Sequence, residues 1–158
     1  MDQGRSRGTV TSIDTNVILG LLDAEDAFNL PAKHALQRAA AKGRLVLCAP
    51  VFVELCAMPK HEGFDLDTFL LRVRIDVDWL LEEEIWRKAG AANAKHVAKR
   101  RDHARLARSS RSRDDVPVKR VAADFLIGAH AAVRGAELLT FDKGVFRTYF
   151  PGVKIVEP

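Results

Sequence analysis

Apolar and polar positions follow two alternating spacings along the chain, and each spacing predicts a different kind of element. Five short apolar runs predict buried β-strands: residues 10–14, "RLVLCAP", "IDVDWL", "ELLTFD" and "VKIVEP". Between them, amphipathic spacing predicts helices: "TNVILGLLD", residues 29–43, "PVFVELCAM", residues 65–74, a segment from Glu82 onward, and "VAADFLIGAHAAVRG". Strands and helices therefore alternate along most of the chain.

Proline, glycine and charged residues mark where several of these helices begin and end. Pro31 and Pro50 each stand in a first helical turn, where a missing N–H leaves no hydrogen bond unmade. Gly43 and Gly135 stand where a helix stops. The helix from Glu82 has acidic residues first and basic residues last, as the helix dipole prefers. These signals support the helices independently of the apolar spacing.

Strands that alternate with helices are typical of βαβ units, which place parallel strands in one sheet and helices on both of its faces. We therefore expect an α/β fold, a three-layer α/β/α sandwich with a mainly parallel central sheet. The sequence has no evident internal repeat. Residues 1–158 are expected to form a single domain, with residues 1–8 as a tail and residues 105–118 as a flexible basic loop.

Composition narrows the class of protein. The chain has 158 residues, of which 47% are hydrophobic and 29% charged, which is typical of a globular protein with a real core. No apolar run approaches the roughly 20 residues that span a bilayer, and the first residues lack an apolar signal region, so neither membrane insertion nor secretion is expected. Cys48 and Cys56 lack zinc-site spacing and are expected to be reduced core residues of a cytoplasmic protein.

Positive charge is concentrated in one part of the chain. Residues 87–120 hold 12 Lys and Arg but 3 Asp and Glu, whereas the rest of the chain holds 13 basic and 18 acidic residues. Such a segment suits the binding of a polyanion, although a solvated basic helix would carry the same charge. The candidates for phosphate contact are Arg100, Arg101, Arg111, Arg113, Lys119 and Arg120.

Four acidic residues that are far apart in sequence are predicted to meet at one edge of the sheet. Asp14 and Asp142 each stand at the end of a predicted strand, while Glu54 and Asp124 lie early in predicted helices. Functional groups collect at the C-terminal ends of parallel strands, where loops open onto a crevice. Taken singly, each acid has a plainer explanation as a helix cap, an exposed helix residue, a partner of the helix dipole or a turn residue.

Four carboxylates in one place need a compensating charge, because like charges raise one another's pKa and oppose folding. A divalent cation with oxygen ligands is the usual solution, and Mg²⁺ or Mn²⁺ suits a site without His or Cys. Such ions can activate water and stabilise the leaving oxygen of a phosphodiester. An acidic metal site beside a basic segment is the combination that a nuclease needs.

Several motifs carry a resemblance to a known family. "SIDTNVIL", "VFVELCAMP", "ADFLIGAHAAVRGAELLTFDKGVF" and "YFPGVKIVEP" resemble the signatures of the PIN domain, and more narrowly of VapC-type toxins of type II toxin–antitoxin systems. They span nearly the whole chain in the family's order and spacing. The resemblance implies a Mg²⁺- or Mn²⁺-dependent endoribonuclease that hydrolyses RNA phosphodiester bonds by a metal-activated water. It also implies a cognate VapB-type antitoxin that blocks the site, and a homodimer.

The same resemblance implies roles for individual residues. The acidic quartet that binds the metal corresponds to Asp14, Glu54, Asp124 and Asp142. Thr140 matches the polar position near the last acid, which orients a ligand or a water, and Asn16 matches the position that helps to hold Asp14. The long basic stretch before the third acid is less typical of the family and bears on the shape of the RNA entrance.

Two other functions stay open at this point. A non-catalytic nucleic-acid-binding module using residues 87–120 would bind polyanions with steep salt dependence, and it would lose nothing when Asp14 or Asp124 became Asn. A phosphotransfer domain of haloacid-dehalogenase or receiver type would also place an Asp after its first strand. The haloacid-dehalogenase pattern needs a second Asp where Asn16 stands, which disfavours that reading.

Three further side chains have structural explanations. His130, in "IGAHAA", is expected to be a packed histidine with its hydrogen bonds satisfied. Trp79 and Trp86 are expected to belong to the core or to a dimer surface rather than to a base-stacking platform.

Overall fold

The computed structural model describes residues 8–58, 64–107 and 121–158, and a five-stranded sheet runs through its centre. The strands are β1 (Thr9–Ile13), β2 (Gly43–Cys48), β3 (Ile75–Asp78), β4 (Glu137–Leu139) and β5 (Ile155–Val156). They lie in the order β3-β2-β1-β4-β5, and every pairing is parallel. The prediction of an α/β fold with a parallel central sheet is confirmed.

Helices connect these strands and flank the sheet, consistent with three α/β/α layers. Within the described residues they are α1 (Thr15–Leu22), α2 (Asn29–Lys42), α3 (Ala49–Cys56), α4 (Leu66–Val73), α5 (Glu83–Ala107), α6 (Val121–Arg134) and α7 (Gly144–Tyr149). Helix α6 packs against β1, β4, α3, α5 and α7, and α2 packs against α1 and β2. The elements predicted from the sequence are all present, with boundaries shifted by a few residues.

The strand order fixes where a site can form. The chain moves from β1 to β2 and β3 on one side and then returns to place β4 and β5 on the other side. The strand order therefore reverses between β1 and β4, and ligands of open parallel sheets bind at such a point. Asp14 follows β1 there, and its N–H donates a hydrogen bond to the Leu139 carbonyl over 3.0 Å, so the ends of the two strands are tied together.

Buried core residues fix the position of the β1 and β4 ends. Ile13, Leu138 and Leu139, which precede the crevice on β1 and β4, are fully buried. Full burial of side chains of this size stabilises a fold by about 1.5–3 kcal/mol each. Helix α6 lies close to the C-terminal segment at Gly128, where an added Cβ would stand 2.4 Å from the Phe150 ring. Only glycine allows this approach, which fixes α6 and the acid in its first turn relative to the sheet.

The fold differs from the sequence predictions in three elements. Residues 143–149 contain "KGVFRTY", for which the apolar spacing predicted no helix, yet α7 forms because Phe146 enters the core. Strand β4 ends at Leu139, so the predicted strand "ELLTFD" is three residues too long. Residues 105–107, predicted as the start of a flexible loop, belong to α5, and the rest of that predicted loop lies outside the described residues.

The cysteine and tryptophan predictions are corrected in part. Cys48 is buried as expected, and burial raises the pKa of its thiol to about 12. Cys56 is exposed, so its prediction as a core residue is wrong: it stands in the last turn of α3, on the side that faces solvent. Trp79 and Trp86 are 58% and 53% exposed, so they do not belong to the core. Of the two predicted locations, the dimer surface stays a prediction.

Candidate active site

Asp14 is the centre of the polar cluster at the β1–β4 edge. Asp14 is only 4% exposed, although it directly follows a strand. One carboxylate oxygen, Oδ2, accepts a hydrogen bond from Thr140 Oγ1 over 2.6 Å and another from Asn16 Nδ2 over 2.7 Å. Asp14 stands at the N-cap of α1, but its carboxylate makes no side-chain capping bond to that helix. Helix capping therefore does not explain the position of this acid.

Thr140 and Asn16, the two predicted supporting residues, link Asp14 to the loop after β4. The fully buried Thr140 hydroxyl also accepts a hydrogen bond from the Asp142 N–H over 2.9 Å. The Asn16 side chain donates to Thr140 Oγ1 over 3.3 Å and accepts from the Phe141 N–H over 3.1 Å. The structure therefore brings Asp14, Asn16, Thr140 and Asp142 into one hydrogen-bonded network.

Glu54 reaches the same cluster from α3. It is half-buried, and its Oε2 accepts a short hydrogen bond from the hydroxyl of Thr15, the residue that follows Asp14. This role of Thr15 was missed in the sequence, although the residue stands inside the "DTN" motif that carries Asp14 and Asn16. The pair fixes the orientation of Glu54 toward the end of β1.

The pKa of Asp14 depends on its burial and on two neighbouring carboxylates. Burial raises the pKa of Asp14 to about 6, although the hydrogen bonds from Thr140 and from the Thr15 backbone act to lower it. The charges of Glu54 and Asp142 raise this pKa further. Three of the four predicted acids thus share one electrostatic environment, which carries an excess of negative charge when all three are ionised.

The fourth acid, Asp124, lies in the first turn of α6 and is half-buried. Its helix packs against α3, which carries Glu54, and against α7, which follows Asp142. Across residues 8–58, 64–107 and 121–158, no three acidic, His or Cys side chains are close enough to form a ready-made metal cage. The structure therefore brings Asp14, Glu54 and Asp142 together electrostatically, and it places Asp124 on a helix that packs against the helix carrying Glu54.

The donor set at this edge nevertheless fits a hard divalent cation. The carboxylates of Asp14, Glu54 and Asp142 and the hydroxyl of Thr140 are all oxygen donors, which Mg²⁺ and Mn²⁺ prefer. A cation would remove the charge repulsion that contributes to the raised pKa of Asp14. Since Mg²⁺ keeps several of its waters and takes one or two carboxylates, a closed protein cage is not required.

The predicted phosphate-contacting residues are described only in part. Arg100 and Arg101 lie on the exposed surface of α5, and Arg100 lines a groove between α5 and α7. The other four predicted contacts lie outside the described residues: Arg111, Arg113, Lys119 and Arg120.

His130 belongs to a separate, buried network. Its Nδ1 lies 3.3 Å from Ser12 Oγ, and its Nε2 lies 3.1 Å from Asp78 Oδ2. These residue types also form hydrolytic triads, but there the serine contacts Nε2 and is open to substrate. In this protein Ser12 contacts Nδ1 and Asp78 contacts Nε2, and Ser12 is fully buried, so the network has a structural role. The prediction of a packed, satisfied histidine is confirmed.

Comparison with protein families defines the class of the protein. Residues 12–151 match the family model of the PIN domain. The chain therefore belongs to the PIN-domain family, as its motifs predicted. PIN domains are in general nucleases that use divalent metal ions.

Solved structures share this fold at low sequence identity. A chain of VapBC2 from Rickettsia felis, bound to a DNA fragment from its promoter, aligns with a TM-score of 0.61 at 16% identity, over 94% of this chain and 98% of that chain. A chain of VapBC-1 from nontypeable Haemophilus influenzae aligns with a TM-score of 0.59 at 17% identity, over 94% and 98%. A chain of FitAcB from Neisseria gonorrhoeae aligns with a TM-score of 0.56 at 19% identity, over 92% and 95%.

Two other comparisons give negative results. No curated protein sequence matches this chain significantly. Within the described residues, none of the helices combines the length and the apolar composition of a membrane span.

Proposed function

We propose that this PIN-domain protein is a metal-dependent endoribonuclease and the toxin of a type II toxin–antitoxin system. The observation that carries the proposal is the buried Asp14 carboxylate at the strand-order reversal, with Glu54 and Asp142 close enough to raise its pKa. A site of this kind is expected where a cation completes the charge balance. We further propose that residues 1–158 form a single domain.

The acidic quartet is proposed to hold Mg²⁺ or Mn²⁺: Asp14, Glu54, Asp124 and Asp142. When bound, such an ion activates a water for attack on phosphorus and stabilises the leaving oxygen of the phosphodiester. The all-oxygen donor set and the raised pKa of Asp14 support this assignment.

The neighbouring polar residues are proposed to orient these carboxylates. Thr140 and Asn16 both donate to the same oxygen of Asp14, so the carboxylate is fixed in one rotamer before any ligand arrives. Thr15 does the same for Glu54. A ligand set held in place by surrounding hydrogen bonds loses less conformational entropy on binding, which favours both affinity and geometry.

The basic segment is proposed to hold the RNA backbone beside this site. Arg100 and Arg101 are exposed on α5, which packs along the helix that carries Asp124. Arginine and lysine contacts to phosphates supply most of the affinity of such complexes and make it dependent on salt. The proposed contacts also include Arg111, Arg113, Lys119 and Arg120, which lie outside the described residues.

The partners are proposed from the family and from the relatives. Two of the similar chains come from VapBC complexes, which supports a VapB-type antitoxin as the partner that blocks the site. We also propose that the protein is cytoplasmic and forms a homodimer.

The decisive experiment is RNA cleavage by the purified, antitoxin-free protein and by Asp14→Asn, each with Mg²⁺, with Mn²⁺ and with EDTA. We expect cleavage that requires metal and falls by at least about a hundredfold in Asp14→Asn, because loss of a transition-state interaction commonly costs that much. Asp67→Asn is the matched control, since Asp67 is exposed in α4, and it should cleave like the wild type.

The outcomes separate the alternatives. Equal residual cleavage by the wild type and Asp14→Asn would indicate a contaminating nuclease. RNA binding without cleavage, unchanged in Asp14→Asn, would instead support the non-catalytic binding module. Folded protein that leaves every RNA intact in the presence of metal would contradict the ribonuclease proposal.

A further inference from the structure

A groove of about 520 Å³ lies between α5 and α7. Helix α5 lines it with His96, Lys99 and Arg100, and α7 lines it with residues that include Thr148 and Tyr149. Ligand-binding clefts in proteins usually have volumes of about 300–1,000 Å³. The groove is therefore large enough for one nucleotide.

The groove borders the candidate active site on two sides. Gly144, in its wall, donates its N–H to Asp142 Oδ1 over 3.0 Å. On the other side, Phe125, which directly follows Asp124, contacts the Tyr149 ring at a centroid distance of 5.2 Å. The groove wall is therefore bonded to Asp142 through Gly144, and its Tyr149 packs on the first turn of α6, which carries Asp124.

The positive charge of the groove comes from α5. Lys143, at the N-cap of α7, and Arg147 share one carboxylate, that of Glu157, at 2.5 and 2.9 Å, and neither of the two cations lines the groove. Lys99 is exposed, and among the residues that the structure describes no carboxylate pairs with it. A phosphate at this position would gain a contact without displacing an existing ion pair.

The rings in the groove are held in a fixed arrangement. His96 Nδ1 lies 3.0 Å from the Tyr149 hydroxyl, and the two rings meet edge to face at 5.6 Å. The Phe125 ring supports both of them from behind, at 5.6 and 5.2 Å. Rings that are ordered before binding lose little entropy when a sugar or base packs on them, and aromatic side chains bind bases of any sequence by such contacts.

We propose that the α5–α7 groove binds one nucleotide adjacent to the scissile phosphodiester, with Lys99 on its phosphate and the His96–Tyr149 pair against its sugar and base. The inference rests on the proposed ribonuclease function and adds a substrate-binding subsite to it. A base enters the groove only when it is unpaired, since a stacked and paired base cannot reach the rings. The nucleotide beside the cleaved bond is thus bound outside a duplex.

Binding measurements on an Asp14→Asn background test the phosphate contact without cleavage. Fluorescence anisotropy of a short, labelled single-stranded RNA is recorded over a salt titration for this protein and for the same protein with Lys99→Ala or Lys95→Ala. Lys95 lies one turn earlier on α5, is exposed and does not line the groove. We expect Lys99→Ala to weaken binding about three- to tenfold and to reduce the salt slope by about 0.7, and Lys95→Ala to leave the slope unchanged.

A second comparison tests the contact to the base. His96→Ala is measured with the same RNA and with an oligomer of equal length whose nucleotides are abasic. We expect His96→Ala to weaken binding of the intact RNA about tenfold and to weaken binding of the abasic oligomer by clearly less, because only the intact RNA places a base on the ring. Equal weakening of both oligomers, or of neither, would overturn the base contact.

The failure of this inference is distinguishable from the failure of the proposed function. If the wild type cleaves RNA with metal but the Lys99 and His96 variants bind RNA like the Asp14→Asn protein that carries them, the groove inference alone is overturned. If the wild type never cleaves but both binding patterns appear, the subsite stands and the ribonuclease proposal falls.

Discussion

Asp14 places an acidic group with a pKa of about 6 inside the fold, where burial and two nearby carboxylates disfavour its charged form. In metal-free protein at neutral pH this group is mostly ionised and destabilises the native state. We expect Asp14→Asn in EDTA at pH 7 to raise the free energy of unfolding by about 1 kcal/mol or more, since one pKa unit corresponds to about 1.4 kcal/mol. Urea denaturation measures this, with Asp67→Asn as the exposed control.

The sign of the pH dependence follows from the same group. The folded pKa of Asp14 is raised from 3.8 to about 6, so between these values the folded state binds more protons than the unfolded state. The wild type therefore gains stability relative to Asp14→Asn as pH falls through this window. A stability difference that stays constant from pH 7 to pH 4 would contradict this electrostatic account.

At the scale of elements, a partly buried ionic network joins β3, the residue before α5, and α6. Asp78, at the end of β3, accepts hydrogen bonds from Arg134 Nε over 2.7 Å and from His130, and Arg134 also pairs with Glu82. Burial acts to raise the pKa of Asp78, but the hydrogen bonds from Arg134 and His130 outweigh it and lower the pKa. The ionised form of Asp78 thus stabilises the packing of α6 on the sheet.

Replacing Asp78 tests this network against a matched neighbour. We expect Asp78→Asn to reduce the free energy of unfolding at pH 7 by about 1.5–3 kcal/mol, the usual contribution of hydrogen bonds to charged groups. Asp76→Asn, on the same strand, removes only the exposed pair with Arg44 and should cost less than about 1 kcal/mol. Similar losses in both variants would show that the network adds nothing beyond surface charge.

The stabilising contribution of ionised Asp78 is lost at acid pH. Because the folded pKa of Asp78 is below its unfolded value of 3.8, the stabilisation is complete above that value and is lost as pH falls through the folded pKa. The difference between wild type and Asp78→Asn should therefore be constant near neutral pH and shrink below about pH 4.

The elements also show what the sequence could predict. Strands and long helices with clear apolar spacing were predicted because their pattern is local, and Asp14, Asn16 and Thr140 were predicted because motifs carry them. Helix α7 was missed, since it is six residues long and forms only because Phe146 is buried by distant elements. The contact between Thr15 and Glu54 joins residues 39 positions apart, and no local pattern encodes it.

At the scale of the whole molecule, charge and apolar surface are segregated. The basic residues concentrate in residues 87–120, whereas the apolar patch consists of exposed side chains on α3, directly after β3 and in the first turn of α5: Val53, Trp79, Leu80 and Trp86. These four residues are 53–72% exposed, and Trp79 packs against Phe52 with ring centroids 4.8 Å apart. Apolar patches of this kind mark interaction surfaces in proteins that otherwise expose polar groups.

The proposed homodimer makes this patch testable. If two copies bury it, a charge introduced at Leu80 would be taken out of water without a partner, at a cost of several kcal/mol. We expect light scattering to give the dimer mass for the wild type and the monomer mass for Leu80→Glu at the same micromolar concentration. Leu71→Glu is the control, because Leu71 is 79% exposed on α4 and is not one of the four residues of the patch, and it should stay dimeric. A monomeric wild type would contradict the homodimer, and a dimeric Leu80→Glu would assign the interface to another face.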